Sequence, residues 1–518
     1  MIYKMLVRLI ELKFRCIGSV FVVLCMALSA CQIQDEKEKI SNTEETGCIR
    51  TYEDAYKLIT NVRTERKEKI ECYIEDLINQ AKSVHDDTLM RDFFFKQMKC
   101  VDLEQENNSD NAKKSLSQSE KNILIDHVRN YNLFYDILFI NKDGCIFHTI
   151  LKQKDYRKNL WMDDLARTEL SKKIKQNPVR DFVDFQYYEC SDEYSAFIVE
   201  PVYENKTIVG WYAFQVAINK INNLLSDYKN LLKTGEVLLV NKEQYFMCDS
   251  RFETTSAIFE EKISNDNLLM KFKTRSGNSI VKDYRGKSVL TSFEVFSFFD
   301  TDWLITAKID EDEVVTEIYR NNPEKFTEEL YSPVNVSGNT PILFDETNRF
   351  VAVDMDEYKR IDTNEVVFTK SIYTCTGVLI NYPGRFSYLL HLSPEDRVYG
   401  GNKTDLINKV LENIYYKEIK EIEKQNLKFT VIATTKDAVA GIVDQLIEND
   451  ILLSQIEIVF NPHALFADFY YDFKDNNRYV SWQLKDQEKN YLTNKLEVFR
   501  SLGQKIQKQE KFVKHNTR

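Results

Sequence analysis

A cysteine and a histidine in the last third of the chain have the residue types and spacing of a nucleophile and its base. Cys375 follows a stretch that reads as a β-strand, and His391 comes sixteen positions later within a second strand-like stretch, residues 386–392. A cysteine becomes a good nucleophile when a neighbouring imidazole takes its proton, and a hydroxyl can orient that imidazole. Thr369, six residues before Cys375, is the candidate hydroxyl. The pattern predicts cysteine-dependent chemistry at these three residues, with no metal and no cofactor.

Two neighbouring strands joined by a loop would bring Cys375 and His391 to one edge of a sheet. The strands follow a predicted linker, residues 317–340, which contains Pro323 and Pro333. After His391 the sequence predicts a helix, a strand, a second helix and three strands, at residues 403–425, 429–434, 437–449, 455–460, 467–473 and 478–484. Residues 341–485 are therefore predicted to form a separate domain, and residues 486–518 a charged helix and tail.

This domain resembles the CheD family of chemoreceptor glutamine deamidases. The resemblance rests on Thr369-Lys-Ser-Ile-Tyr-Thr-Cys375, on His391-Leu-Ser-Pro394, and on Arg397-Val-Tyr-Gly-Gly401 before a long helix. It implies that Cys375 is the nucleophile, His391 the base and Thr369 the orienting hydroxyl of an amidohydrolase. The chain departs from the family in having Tyr373-Thr374 where Gly-Ser usually precedes the cysteine.

The first 31 residues read as a secretion signal that ends in a lipidation site. Four basic residues precede a short apolar run, residues 16–27, and Leu28-Ser29-Ala30-Cys31 follows. The apolar run has about 12 residues, whereas a membrane-spanning helix needs about 20. The pattern resembles the bacterial lipoprotein signal, in which the residue equivalent to Cys31 is acylated. It predicts a signal peptide at residues 1–30, a polar tether at residues 31–50, and a membrane-anchored lipoprotein that is periplasmic or on the cell surface.

Composition limits the remaining possibilities. The chain has 518 residues, a 43% hydrophobic fraction, 28 Tyr and 32 Phe, which is enough for packed cores. Its formal net charge is −11, and the signal peptide is itself basic. An acidic mature chain argues against nucleic-acid binding, which needs a basic surface.

Cysteines are concentrated in the N-terminal half. Outside the cytoplasm some of them could pair as disulfides, and the sequence leaves the connectivity open for Cys48, Cys72, Cys100, Cys145, Cys190 and Cys248.

Residues 51–316 resemble a double Cache (dCache) sensor domain. A helical pattern over residues 51–96 leads to a predicted hairpin that turns at Asp143-Gly144. Further strands are predicted at residues 183–187, 195–202 and 209–216, and a helix at residues 218–232 closes a distal module, residues 119–232. A proximal module, residues 233–316, is predicted to begin with a strand at residues 235–240 and to end with a hairpin at residues 281–310.

The Cache resemblance implies an extracytoplasmic small-molecule ligand in the distal module, between the sheet and the segment that covers it. Such a site needs apolar walls and a few converging polar groups. Arg157 could bind a carboxylate and Asp184 an ammonium group. The candidate ligand-binding residues are Tyr156, Arg157, Trp161, Asp184, Tyr187 and Tyr212. Amino-acid-binding members carry an Arg-x-Trp-Tyr pattern, which Arg157-Lys-Asn-Leu-Trp161 does not match.

The predicted fold class is α+β. A long N-terminal helix carries two PAS-like antiparallel Cache modules, and an α/β sandwich-like domain of the CheD type follows. The predicted function is a lipid-anchored sensor whose C-terminal domain acts on a protein substrate as a cysteine amidohydrolase. The alternative is a non-enzymatic ligand-binding lipoprotein in which that domain docks a membrane signalling partner.

Overall fold

The helix predicted near residue 51 is present as α1 (Tyr52–Asp86), and α2 (Thr88–Gln105) follows it at once. Thr51 caps α1, because its hydroxyl oxygen accepts a hydrogen bond from the Asp54 backbone N–H at 3.2 Å. Buried positions recur along α1 every three to four residues, which gives the helix one long packing face.

The structure is a computed structural model. It describes residues 48–105, 133–176, 178–253, 255–260, 262–263, 266–330, 349–394, 406–485, 491–495 and 507. The predicted signal peptide, the lipidation site Cys31, most of the predicted tether and residues 331–340 of the predicted linker lie outside these residues.

The first sheet contains five antiparallel strands in the order β2-β1-β5-β4-β3. The strands are β1 (Asp136–Asn141), β2 (Ile146–Thr149), β3 (Asp181–Tyr188), β4 (Glu193–Glu204) and β5 (Thr207–Ala217). On one face, Phe139 and Tyr212 pack against Phe94 of α2. A segment that contains α3 (Glu169–Gln176) covers the other face. The short helix α4 (Asn219–Leu225) follows β5 and precedes the second sheet in the chain.

The second sheet contains four antiparallel strands in the order β6-β9-β8-β7. The strands are β6 (Glu236–Asn241), β7 (Ser276–Lys282), β8 (Ser288–Phe298) and β9 (Thr301–Asp310). Arg63 of α1 donates a 2.9 Å hydrogen bond to Ser292 Oγ and forms an ion pair with Glu294. On the opposite side, α5 (Asp266–Thr274) belongs to the covering segment, and α6 (Glu311–Asn321) continues directly from β9.

Two five-stranded sheets face each other in the C-terminal part. Their orders are β10-β12-β17-β18-β19 and β11-β14-β13-β15-β16. The strands are β10 (Arg349–Ala352), β11 (Glu357–Ile361), β12 (Glu365–Ile372), β13 (Thr376–Tyr382), β14 (Phe386–Leu392), β15 (Lys428–Ala433), β16 (Ile456–Phe460), β17 (Ala464–Asp472), β18 (Asn477–Leu484) and β19 (Tyr491–Lys495). The helices are α7 (Thr327–Leu330), α8 (Leu406–Lys417) and α9 (Lys436–Glu448). Leu389, Val367 and Trp482 belong to the apolar core between the sheets.

The α+β class predicted from the sequence is confirmed, with antiparallel sheets after a long N-terminal helix. Some element types and lengths differ. Residues 491–495, which were predicted to be part of the C-terminal helix, instead form a strand, β19, that pairs with β18. Backbone hydrogen bonds at a sheet edge here override a helix-like charge pattern. The helix predicted over residues 218–232 ends at Leu225, and the helix predicted over residues 403–425 ends at Lys417 in its described part.

Candidate functional site

Thr369 and His391 are in direct contact across the two C-terminal sheets. Thr369 lies on β12 and His391 on β14, and Thr369 Oγ1 is 2.6 Å from His391 Nδ1. Both side chains are buried. The same hydroxyl donates its only proton to the Val353 carbonyl at 2.9 Å, so it must accept the second hydrogen bond from His391 Nδ1–H.

This hydrogen bond determines which ring nitrogen of His391 can take a proton. With the hydrogen on Nδ1, Nε2 carries a lone pair, and Nε2 is buried without a hydrogen-bond partner among the described residues. Burial lowers the pKa of His391 from its ordinary value of 6.5, against an opposing effect of Asp356 and Asp354. The imidazole is therefore neutral near pH 7, which is the form that a general base requires.

Cys375 immediately precedes β13, the strand that pairs with the strand of His391. Gly377 lies directly opposite His391, so Cys375 is at the diagonal position of the same strand pair. Diagonal neighbours have Cα atoms about 7–8 Å apart, within reach of longer side chains. The thiol is largely buried and its Sγ lies 3.8 Å from Met355 Sδ. Thus Cys375, His391 and Thr369 occupy one end of the β13–β14 pair.

The predicted distal ligand space is filled by the protein itself. Between the first sheet and its covering segment lies a continuous apolar core, to which Leu160, Leu165, Leu170 and Ile174 contribute from the covering side. Trp161 packs at the edge of this core, with its ring centroid 6.3 Å from that of Trp211. A Cβ on Gly144 would lie 2.3 Å from the Trp161 indole nitrogen, so the ring closes over that turn.

The six candidate ligand residues do not share one site. Tyr212 is on the opposite face of the sheet, buried, and donates a 3.1 Å hydrogen bond to the Met90 carbonyl. Tyr156 and Arg157 lie in the covering loop, where the exposed Arg157 guanidinium stacks 5.4 Å from the Tyr156 ring centroid. Tyr212 is therefore a core residue, and the Arg157 guanidinium is occupied by its neighbour at the surface.

Asp184 and Tyr187 line a different space, a cleft of about 550 Å³ between β3 and the turns of the second sheet. The indole N–H of Trp303 donates to the Asp184 carboxylate at 3.1 and 3.2 Å. Burial raises the pKa of Asp184 to about 6. The cleft walls combine acidic and aromatic side chains, including Tyr194, Tyr245, Phe259 and Asp300.

A cavity of about 630 Å³ lies in the proximal module, between the second sheet and its covering segment. Its floor includes Leu238, Thr306 and Lys308, and Leu268 and Lys271 of α5 reach it from the cover. Burial, together with the nearby Lys308 charge, lowers the pKa of Lys271 to about 8. The proximal module therefore has an open cavity lined by both polar and apolar groups, whereas the corresponding space of the distal module is filled by side chains.

Sequence reasoning missed Lys271 and Thr306. Thr306 and Lys308 stand two residues apart in the otherwise apolar run of residues 303–309, so strand alternation puts both on one face. The sequence alone could therefore have placed Thr306 and Lys308 on one face of this strand. Lys271 follows only from the helix that brings it over this face. Within the described residues, no group of three or more His, Cys, Asp or Glu side chains is arranged to hold a metal ion.

The cysteines of the N-terminal half are thiols where their state is described. Cys48, Cys72, Cys145, Cys190 and Cys248 form no disulfide, and neither does Cys375. No helix within the described ranges is long and apolar enough to cross a membrane.

Comparison with known proteins identifies the N-terminal half. The family model for the Cache domain matches residues 50–318, more than half of the chain. No curated protein sequence matches significantly.

Three solved structures illustrate the likeness. An extracellular ligand binding receptor from Desulfohalobium retbaense is 10% identical, with a TM-score of 0.33, over 48% of this chain and 39% of that one. The periplasmic sensory domain of the Campylobacter jejuni chemoreceptor Tlp1 is 11% identical, with a TM-score of 0.35, over 51% of this chain and 97% of that one.

The ligand-binding domain of the Pseudomonas aeruginosa amino acid chemoreceptor PctB, in complex with L-Arg, is 13% identical, with a TM-score of 0.28, over 48% of this chain and 97% of that one. Each of the three covers about half of this chain. On the match of the family model, this chain belongs to the Cache domain family.

Proposed function

We propose that the chain is a lipid-anchored, extracytoplasmic small-molecule sensor whose C-terminal domain is a cysteine-dependent amidohydrolase of the glutamine deamidase type. The observation that carries the catalytic part is the Thr369–His391 hydrogen bond, which leaves Nε2 of His391 as a buried acceptor beside the strand of Cys375. The order Thr369, Cys375, His391 is that of the CheD family, and residues 341–485 are proposed as the catalytic domain.

The proposed reaction begins with transfer of the Cys375 thiol proton to Nε2 of His391. The thiolate attacks the carboxamide carbon of a glutamine side chain, so that a C–S bond forms and the C–N bond breaks. The imidazolium returns its proton to the departing nitrogen, which leaves as ammonia. Water, deprotonated by His391, then attacks the thioester, which releases a carboxylate and restores the thiol.

The sensory part of the proposal rests on membership of the Cache family. Solved relatives are titled as sensory or ligand-binding domains of chemoreceptors, and the PctB domain is in complex with L-Arg. For this chain we propose a small-molecule ligand, with lipid on Cys31 holding the protein at a membrane outside the cytoplasm. The sequence pattern of residues 1–31 supports the anchor.

The catalytic proposal is tested by alkylation and by ammonia release. Cys375 should react with iodoacetamide at pH 7 faster than a model thiol, because His391 accepts its proton. His391→Ala should slow the reaction strongly, and Thr369→Ala should slow it less. Ammonia release from a glutamine-rich protein such as casein should vanish in Cys375→Ser and persist in Cys72→Ser, an exposed cysteine on α1. Alkylation that is unchanged in His391→Ala would contradict the proposal.

A second candidate function is docking of a membrane signalling partner without chemistry. Met355 and Tyr373, which flank the Cys375 region, are both exposed large side chains. Apolar and aromatic side chains of this kind are common at protein interfaces. Under this alternative, Tyr373→Ser would abolish partner capture, and Cys375→Ser would leave signalling intact.

A further inference from the structure

The charged groups on the floor of the proximal cavity are largely neutralised by one another. Lys308 Nζ forms ion pairs with Glu236 at 2.8 Å and with Asp283 at 2.5 Å. Asp283 is also paired with Arg285, and the Tyr284 hydroxyl donates to Glu236 at 3.0 Å. Neither buried carboxylate is therefore available for a cationic group of a ligand.

Lys271 and Thr306 are not part of this ion-pair network, and each can still donate a hydrogen bond to a ligand. Among the described residues no carboxylate pairs with Lys271, whose ammonium nitrogen instead lies 5.0 Å from the Phe293 ring centroid. Thr306 Oγ1 is buried and has no hydrogen-bond partner in the described part of the chain. A buried hydroxyl without a partner costs free energy that a bound acceptor would recover.

Phe293 places these two groups next to each other. Phe293 on β8 is directly opposite Thr306 on β9, and opposed residues of antiparallel strands share one face of the sheet. Because Lys271 lies over the Phe293 ring and Thr306 stands beside that ring, the ammonium and the hydroxyl converge on the same part of the cavity. Together they offer two donors to one anion.

The residues of the remaining cavity walls indicate the size and polarity of the rest of the ligand. They combine five aliphatic side chains with the polar residues Lys262, Lys282 and Thr291, and the aliphatic side chains are Leu238, Val240, Ile263, Leu268 and Val281. A volume of about 630 Å³ falls in the range of small-molecule sites. The one acidic lining residue outside the ion-pair network is Glu253, which is exposed. The cavity thus suits an anion with an apolar body better than a zwitterion with a second charge to bury.

We propose that the proximal cavity is the ligand site, and that it binds a small monocarboxylate with an apolar body whose carboxylate pairs with Lys271 and accepts a hydrogen bond from Thr306. This inference rests on the sensory part of the proposed function and is independent of the cysteine chemistry. The proposed ligand site is in the proximal module, whereas the sequence analysis predicted it in the distal module, where side chains fill the space.

Binding of 4-methylpentanoate to the purified full chain tests the proposal. Isothermal titration calorimetry and thermal shift would compare this acid with its amide, which lacks the charge, and with leucine, which adds only an α-amino group. Phenylacetate and phenylacetamide form a second matched pair with a wider body. We expect both acids to bind, and each amide and leucine to bind about tenfold or more weakly, the size of a charge-assisted contact.

Substitutions then locate the site. Lys271→Met keeps the aliphatic stem and should weaken binding of the acids about tenfold or more, and Thr306→Val should weaken it about threefold or more. Lys273→Met, at an exposed position of α5 outside the cavity lining, is the matched control and should change the affinity less than about twofold. Absence of binding by both acids, equal binding of the amides, or unchanged affinity in Lys271→Met would overturn the proposal. If binding were instead lost in Asp184→Asn, the sensory function would stand and the site would be the cleft. Alkylation of Cys375 reports on the enzymatic proposal separately.

Discussion

The Thr316 hydroxyl accepts a 3.1 Å hydrogen bond from the backbone N–H of Leu453 and donates one of 2.8 Å to the Asp312 carbonyl. Thr316 lies on α6, which continues from β9 on the floor of the proximal cavity, and Leu453 precedes β16 in the C-terminal sheets. On the same helix Arg320 donates to the Ile447 carbonyl at 3.1 Å. Helix α6 is thus a direct physical link between the proposed sensory cavity and the half of the chain that holds His391.

Thr316→Val is expected to destabilise the chain by about 1–3 kcal/mol, because it leaves the buried Leu453 N–H without an acceptor. Urea unfolding followed by circular dichroism measures the change. Thr274→Val is the matched control, since the Thr274 hydroxyl also bonds back to a carbonyl of its own helix but is exposed. That control should shift stability by less than about 0.5 kcal/mol. Equal effects of the two substitutions would show that the Leu453 contact contributes nothing.

The proposed catalytic arrangement was predictable in its chain order but not in its strand pairing. The sequence predicts that Cys375 follows one strand and that a neighbouring strand carries His391. In the structure the strand before Cys375 is β12 of the other sheet, and the two residues come together because β13, which begins after Cys375, pairs with β14. The contact between Thr369 and His391 crosses two sheets. No local pattern specifies such a contact, and only the family resemblance suggested it.

The proposed ligand site was not predictable from the sequence. Whether a covering segment fills the space above a sheet depends on side-chain volume, as with Leu160 and Leu170 in the distal module. Trp161 and Tyr212 have the residue types of a binding site, but Tyr212 is a buried core residue and Trp161 packs against the edge of a core. Lys271 becomes informative only once α5 is placed over Phe293.

His391 should make the chain less stable as the pH falls below about 6.5. Its folded-state pKa is lowered by burial, so the unfolded chain binds a proton that the folded chain excludes. In this pH range unfolding is favoured by proton uptake, and one such group contributes a slope of at most about 1.4 kcal/mol per pH unit. Urea midpoints between pH 5.5 and 7.5 should therefore change less steeply in His391→Gln than in the native chain. His463→Gln, whose side chain is exposed, is the control and should retain the native slope.

Cys31→Ser should release the protein from membranes, because acyl chains on that residue would be its anchor. Fractionation of cells that express the native and substituted chains measures the distribution. The expected result is recovery of the substituted chain in the soluble extracytoplasmic fraction after a high-salt wash. Cys72→Ser, an exposed cysteine on α1, should leave the protein with the membrane. Membrane retention of the Cys31→Ser chain would contradict lipid anchoring.

Carboxylate binding in the proximal cavity should weaken as the pH rises above about 8. Burial and the Lys308 charge lower the pKa of Lys271 to about 8, so the free protein loses the ammonium charge in that range. A bound carboxylate favours the charged form, so binding below pH 8 should take up little proton and binding above it should take up close to one. The other charged or titratable groups that face the cavity are Glu253, Lys262, Lys282, Asp283, Tyr284 and Lys308.

Titration calorimetry of 4-methylpentanoate from pH 6.5 to 9.5, in buffers of different ionisation enthalpy, measures both the affinity and the proton uptake. In the native chain the affinity should fall about tenfold for each pH unit above the Lys271 pKa, because a neutral amine offers no charge to the ligand. In Lys271→Met the remaining weak binding should be nearly independent of pH over this range. A pH dependence that survives in Lys271→Met would assign the titration to another group that faces the cavity and would remove Lys271 as the anchor of the carboxylate.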